Sequence, residues 1–203
     1  LVLVKSWQTE QAARQLASCL APDGLAITLQ NGLRNDEILA SALGGERVVQ
    51  GVTTTGAALI APGIVRAGGE GLVSLEAHAR LGAFTALLTE AGFQSEVVAS
   101  AASLVWSKLV INTAINPLTA LLDIPNGELL KRPSARKLMG QLALETARVA
   151  AAQNIPLAFD EPVAAVENIA KRTAQNYSSM LQDVRRGAPT EINAISQAVV
   201  DVG

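Results

Sequence analysis

The 203-residue sequence predicts an α/β fold over its first half, built on a parallel sheet, followed by an all-helical second half. Three observations carry this expectation. A strand, helix and turn recur in that order through Val52, the pattern changes after Thr53, and beyond Ala99 apolar residues recur only at helical spacing.

The apolar run Leu1 to Val4 ends at Lys5 and reads as a strand that the chain enters part-way, with neither an initiator Met nor the basic start of a signal peptide. Helical periodicity follows from Glu10 to Leu20, and Pro22-Asp23-Gly24 makes a turn. The unit then repeats: strand Leu25 to Leu29, turn Gln30-Asn31-Gly32, helix Asp36 to Leu43, strand Arg47 to Val52. Strands that alternate with helices imply parallel pairing through right-handed crossovers. Past Thr53, Gly63, Gly68, Gly69 and Gly71 bracket two short segments, Ile64 to Arg66 and Leu72 to Leu75, which predicts an antiparallel hairpin between them. A helix over Ala79 to Glu90 and a strand over Ser95 to Val98 complete the half. Helices are then expected over Leu104 to Leu122, Ala135 to Gln153, Glu161 to Ala174 and Thr190 to Val202. The domain boundary falls near residue 99, giving parts 1–99 and 100–203. The last helix meets no stop signal before Gly203, so truncation is expected there as well as at the start.

With 49% hydrophobic residues the chain can fill a core of its own. A net charge of -2, from 16 basic and 18 acidic residues without a run of like charge, gives no footprint for nucleic acid or an anionic membrane. The most hydrophobic stretch, Val97 to Leu122, is interrupted by Lys108, Asn112 and Asn116, so no membrane span is expected. Cys19 and His78 are each the sole residue of their type. That excludes an intrachain disulfide, argues against a zinc site of Cys and His, and suits a reducing, cytoplasmic location. The ordinary reading is an exposed His78 and a buried Cys19.

In an open parallel sheet, ligands bind at the carboxyl ends of the strands. Lys5, Asn31 and Thr53-Thr54-Thr55 all follow strands and are expected along that rim. A lysine there suits a phosphate or carboxylate, and Asn31-Gly32 permits a tight turn. Each also has an ordinary reading, as a solvated lysine and a simple turn. The more informative feature is Lys108, Asn112 and Asn116. Residues four apart on a helix are offset by only about 40°, so the three form a narrow polar stripe on an otherwise apolar helix. A buried lysine with its pKa pushed toward neutrality suits a general acid donating to a developing alkoxide. Structural contacts to loop carbonyls or to another helix are the competing reading. Pro117 is expected to kink or open the helix just after Asn116. In the segment Asn176 to Asp183, Asn176 or a serine would cap a helix, and Thr190 before Glu191 resembles another helix start. Spacing alone thus leads to a polar cleft between a sheet domain and a helical domain.

The motifs together resemble the ketopantoate reductases. The resemblance rests on Val4-Lys5-Ser6-Trp7-Gln8, Gln30-Asn31-Gly32-Leu33, Gly51-Val52-Thr53-Thr54-Thr55, Trp106-x-Lys108-Leu109 with Asn112, Asn116-Pro117-Leu118-Thr119-Ala120, Pro125-Asn126-Gly127-Glu128-Leu129, and Ser178-Ser179-Met180-Leu181-Gln182-Asp183 with Glu191. In this order they cover essentially the whole chain. The resemblance implies the remainder of a Rossmann-type dinucleotide-binding domain followed by an all-α C-terminal domain, and hydride transfer from NADPH to 2-dehydropantoate in pantothenate and coenzyme A synthesis. It implies Lys108 as proton donor, with Glu191 between cofactor and substrate. Asn31, Asn112, Asn116, Asn126, Asn176, Ser178 and Ser179 would hold substrate, and Lys5, Asn31, Ala58 and Glu191 would contact the cofactor.

The family's opening strand and G-x-G-x-x-G turn have no counterpart here, because Gly68-Gly69-Glu70-Gly71 has the wrong spacing. The chain by itself is therefore expected to bind the dinucleotide poorly or not at all. Asn193 stands where an acidic residue is frequent and Arg34 where glycine is common, which leaves open a relative acting on another branched 2-keto acid. A reading of a different class is a non-catalytic helical dimerisation module, and a homodimer is a further expectation for the helical part.

Overall fold

The computed structural model describes residues 1–68 and 71–203, without the side chains of residues 58 and 59. They form two compact units, one of residues 1–30 and 34–101, the other of residues 31–33 and 102–203.

In the first unit the expected opening strand is reduced to a single parallel bridge between Val2 and Thr28, with Val2 N donating to Ile27 O at 2.7 Å. Only Val2 turns inward, while Leu1, Leu3 and Val4 are exposed. A 3-10 turn at Ser6–Gln8 leads into α1 (Thr9–Cys19). All three residues of β1 (Ala26–Thr28) are buried, as a strand covered on both faces requires. The helix α2 (Asn35–Leu43) then carries the chain to β2 (Val48–Thr53), which pairs parallel with β1 from Ala26 opposite Val48 to Thr28 opposite Gln50. Val2, Ala13, Ala26, Leu39 and Leu43 close the core between these helices and strands.

After β2 the sequence expectation needs correction. Ile64–Ala67 (β4) pairs antiparallel with Ala57–Ala61 (β3), not with the segment beginning at Leu72. The Ala-rich β3 has low intrinsic strand preference, which hides it from the sequence. Leu72–Glu76 (β5) instead enters the main sheet, antiparallel to β2 and parallel to Gln94–Val98 (β6), in the order β1-β2-β5-β6. The sheet is thus mixed, because the chain returns from β2 without the crossover helix that parallel pairing needs. Val73 and Leu75 are buried with Ile27, Leu29, Val49, Leu81 and Leu88, and α3 (Gly82–Glu90) packs beneath β6. Gly69 and Glu70 lie outside the described residues. Cys19 is exposed at the end of α1, contrary to the expected buried thiol. His78 is half-buried, not exposed, because its ring is held: Arg80 N donates to Nδ1 at 3.2 Å and Nε2 lies 3.1 Å from Glu46 O.

The second unit is built on α4 (Ala102–Leu122), which runs unbroken through Pro117 where an opening was expected. Around it lie α5 (Glu128–Lys131), α6 (Pro133–Ala152), α7 (Pro162–Arg172) and α8 (Ser179–Arg185). The expected last helix is divided into a π-helical turn, Asn193–Gln197, and the short α9 (Ala198–Val202). Ala194 O accepts from Leu33 N at 2.9 Å, an acceptor drawn outside the helix where its turn widens. One side of α4 gives Val110, Ala114, Ile115 and Leu118 to a core with Leu129, Met139 and Val166. Another gives Trp106 and Leu109 to a core with Met180, Ile195 and Val199. Two apolar faces leave a narrow strip of α4 for polar residues.

Candidate active site

That strip carries the stripe read from the sequence. Lys108 and Asn112 are half-buried, and Asn116 is 6% exposed. Burial pushes the Lys108 ammonium down to about 8, against an opposing pull from the negative charge of Glu191. Glu191 itself is 5% exposed, so a lysine and a carboxylate from distant parts of the chain share one desolvated environment.

At the other end of the stripe stands Thr119, one helical turn beyond Asn116 and wholly buried. Its hydroxyl reaches the carbonyls of Ile115 and Asn116 at 2.9 and 3.0 Å, and a 2.7 Å hydrogen bond joins it to Ser178 Oγ. Ser178 also caps α8 by accepting from Leu181 N at 3.1 Å. The hydroxyl of Ser178 is therefore engaged on both sides, while its neighbour Ser179 is half-buried on the first turn of α8. Asn126 is held against the segment before α8: its N–H donates to Asn176 O at 3.0 Å and its Nδ2 to Thr173 Oγ1 at 2.9 Å. Asn126 Oδ1 is buried with no hydrogen-bond partner among the described residues. A buried acceptor in this state calls for a partner, an ordered water or a ligand donor. The side chain of Asn176 is exposed, and Thr190 Oγ1 accepts from Ile192 N at 3.4 Å, as at a helix start.

Lys108, Glu191, Asn112, Asn116, Asn126 and Ser179 all belong to the helical unit, and among them the charge of Glu191 acts on Lys108. Asn31 belongs to the same unit by its contacts, although it lies in the chain between β1 and α2. Lys5 is half-buried in the sheet unit, where its N–H donates to Gln8 Oε1 at 3.3 Å. Ala58 lies in β3 opposite Arg66, and its side chain is outside the described residues.

Sequence reasoning missed a polar network that fixes the chain where it leaves β1. Gln30 Nε2 donates to Val4 O and to Thr9 Oγ1, both at 2.8 Å. Thr28 Oγ1 donates to Gln30 Oε1 at 2.9 Å, and Thr9 Oγ1 to Asn35 Oδ1 at 2.8 Å. These partners are scattered along the sequence and follow no helical or strand period, so no local signal announces them. Thr119 was also missed as part of the stripe, although it continues the face of Asn116 by three residues. Among the described residues no group of three or more His, Cys, Asp or Glu side chains is arranged to hold a metal ion, and no helix is long and apolar enough to cross a membrane.

The architecture, a Rossmann-like α/β part followed by a helical part, defines the class. The family described as "Ketopantoate reductase PanE/ApbA" matches residues 1–80, and "Ketopantoate reductase PanE/ApbA C terminal" matches residues 101–203. The chain belongs to the ketopantoate reductase family. It is 38% identical over 208 residues to the 2-dehydropantoate 2-reductase of Halobacterium salinarum, covering 99% of this chain and 67% of that protein. The solved PanE/ApbA family ketopantoate reductase of Ralstonia eutropha superposes with a TM-score of 0.91 at 30% identity, over 99% of this chain and 67% of that one. The ternary structure of a D-mandelate dehydrogenase with NADH and anilino(oxo)acetate follows at a TM-score of 0.89 and 28% identity, over 99% of this chain and 69% of that one. The chain spans about two thirds of the length of these relatives.

Proposed function

We propose that the protein reduces 2-dehydropantoate to pantoate with NADPH, in pantothenate and coenzyme A synthesis, and that Lys108 is the proton donor. The observation that carries this reading is the half-buried Lys108, its pKa lowered to about 8, acting beside the buried Glu191 on a helix face lined by Asn112 and Asn116. A general acid works best when its pKa lies near the working pH.

The nicotinamide cofactor, when bound, supplies the hydride. Lys5 and Asn31, which follow the Val2 bridge and β1, offer a cation and an amide, a donor set that fits an anionic dinucleotide; with the backbone at Ala58 and the carboxylate of Glu191 they would hold it. Residues 1–99 would in this way serve the cofactor and residues 100–203 the substrate, with Asn31 touching both. Lys108 Nζ gives its proton to the carbonyl oxygen as that oxygen gains negative charge. Glu191 keeps the ammonium protonated and accepts from the substrate hydroxyl. Asn112, Asn116, Asn176 and Ser179 donate to the substrate carboxylate and hydroxyls without adding charge, and Asn126 Oδ1 accepts from a hydroxyl.

Reduction of another 2-keto acid is the second reading, favoured by the fold shared with a D-mandelate dehydrogenase. NADPH consumption by the protein at its full encoded length, offered ketopantoate and other 2-keto acids, decides between them. Turnover of ketopantoate that is lost in Lys108→Ala is expected. Preference for another keto acid would keep the mechanism and change the substrate, and no turnover with any of them would favour the non-catalytic helical module.

A further inference from the structure

The turn after β1 makes an unusually close approach within the helical unit. Gly32 has φ +85, and a Cβ at this position would lie 2.4 Å from Ala194 O and 2.7 Å from Ala194 Cβ. Such distances exclude any side chain without movement of the backbone. Leu33 N donates to the same Ala194 carbonyl at 2.9 Å, and the Leu33 side chain packs against the core of Trp106, Leu109 and Ile195. Three successive features of residues 32 and 33 therefore converge on one turn.

That turn is the π-helical segment Asn193–Gln197. π-turns are rare and concentrate at functional sites. It begins two residues after Glu191, and Ile195 N donates back to Glu191 O at 3.0 Å. A displacement of Ala194 would thus be passed to the Glu191 backbone through a single turn. We propose that Gly32 and Ala194 are positioning residues: the 31–33 turn clasps the π-turn and so holds the Glu191 carboxylate beside Lys108. The proposal rests on the functional reading above for its meaning in catalysis, while the clasp itself is a structural coupling with its own readout.

The test uses the protein at its full encoded length, with lysines carbon-13 methylated and the Lys108 amine titrated by NMR, alongside melting temperature and kcat. Glu191 is the charge that raises the Lys108 pKa toward its value of about 8. Gly32→Ala should displace that charge, lower the Lys108 pKa and reduce kcat at least tenfold. Ala194→Gly, which removes the side chain under Gly32 without introducing a clash, should shift the titration in the same direction by less. In a Glu191→Gln background both substitutions should leave the Lys108 titration where Glu191→Gln alone puts it. A role in packing alone would lower the melting temperature and leave the titration of the folded variants at the wild-type position, and that result overturns the proposal. Should Gly32→Ala fail to fold, Ala194→Gly decides on the same criterion. Absence of keto acid reduction by the wild type would overturn the functional reading, whereas an unmoved Lys108 overturns the clasp.

Discussion

Lys108 holds its proton at neutral pH and gives it up only slightly above, since burial brings its pKa to about 8. If the ammonium is the proton donor, kcat should be level below pH 8 and fall about tenfold per pH unit above it, as the protonated fraction does. The sign of a second effect follows from Glu191. Its negative charge raises the Lys108 pKa, so Glu191→Gln should move the alkaline limb to lower pH, with a larger loss of kcat at pH 8 than at pH 6. A limb that stays in place would show that the carboxylate does not act on the lysine. Lys108→Ala should lower kcat by about 10²–10⁴, the range general acid–base groups supply. At this scale the stripe was legible because a helix converts four-residue spacing into a face. Glu191 was not, because nothing local states that a residue 83 positions further along packs beside Lys108; it and Asn126 came from the resemblance alone. The Gln30 network escaped because a glutamine after a strand reads as a turn until Val4, Thr9 and Thr28 are brought to it.

Among the elements, α8 divides its two serines between different tasks. Ser178 accepts from Leu181 N and bonds Thr119, so Ser178→Ala should cost about 1 kcal/mol through the lost cap, read in urea unfolding. Ser179 makes no cap, and Ser179→Ala should leave unfolding unchanged while raising KM for the keto acid. A reversal of these two results would assign the substrate contact to Ser178. The longer helices were legible from periodicity to within a few residues, whereas the single turn of α5 was not read and the last helix is divided; Ser178 belongs to the group named for the cap. The β3–β4 hairpin was not legible in its pairing. Ala57–Ala61 lacks β-branched residues except Ile60, and every residue of β4 is exposed, so no alternation of burial marks β4. The π-turn was equally hidden, since its widening accompanies a contact from Leu33 and leaves no trace in the sequence between Thr190 and Val202.

For the molecule as a whole, the order of strands and helices foretold the two kinds of structure, while the mixed sheet depended on a return path that composition does not encode. The cores follow the same division. Leu75 is fully buried in a cluster drawn from residues 27–88, and Leu129 is fully buried in one drawn from residues 110–170. Neither cluster contains a residue of the other. Leu75→Ala and Leu129→Ala should each cost about 2–5 kcal/mol, the usual range for removing a large buried side chain. Hydrogen exchange should then lose protection in β1, β2 and β5 for the first variant and in α4, α6 and α7 for the second. The prediction is tested by the unaffected unit as much as by the damaged one. Retained protection in the other unit makes each core the seat of its own cooperativity, whereas equal loss throughout would mean that the two clusters unfold as one.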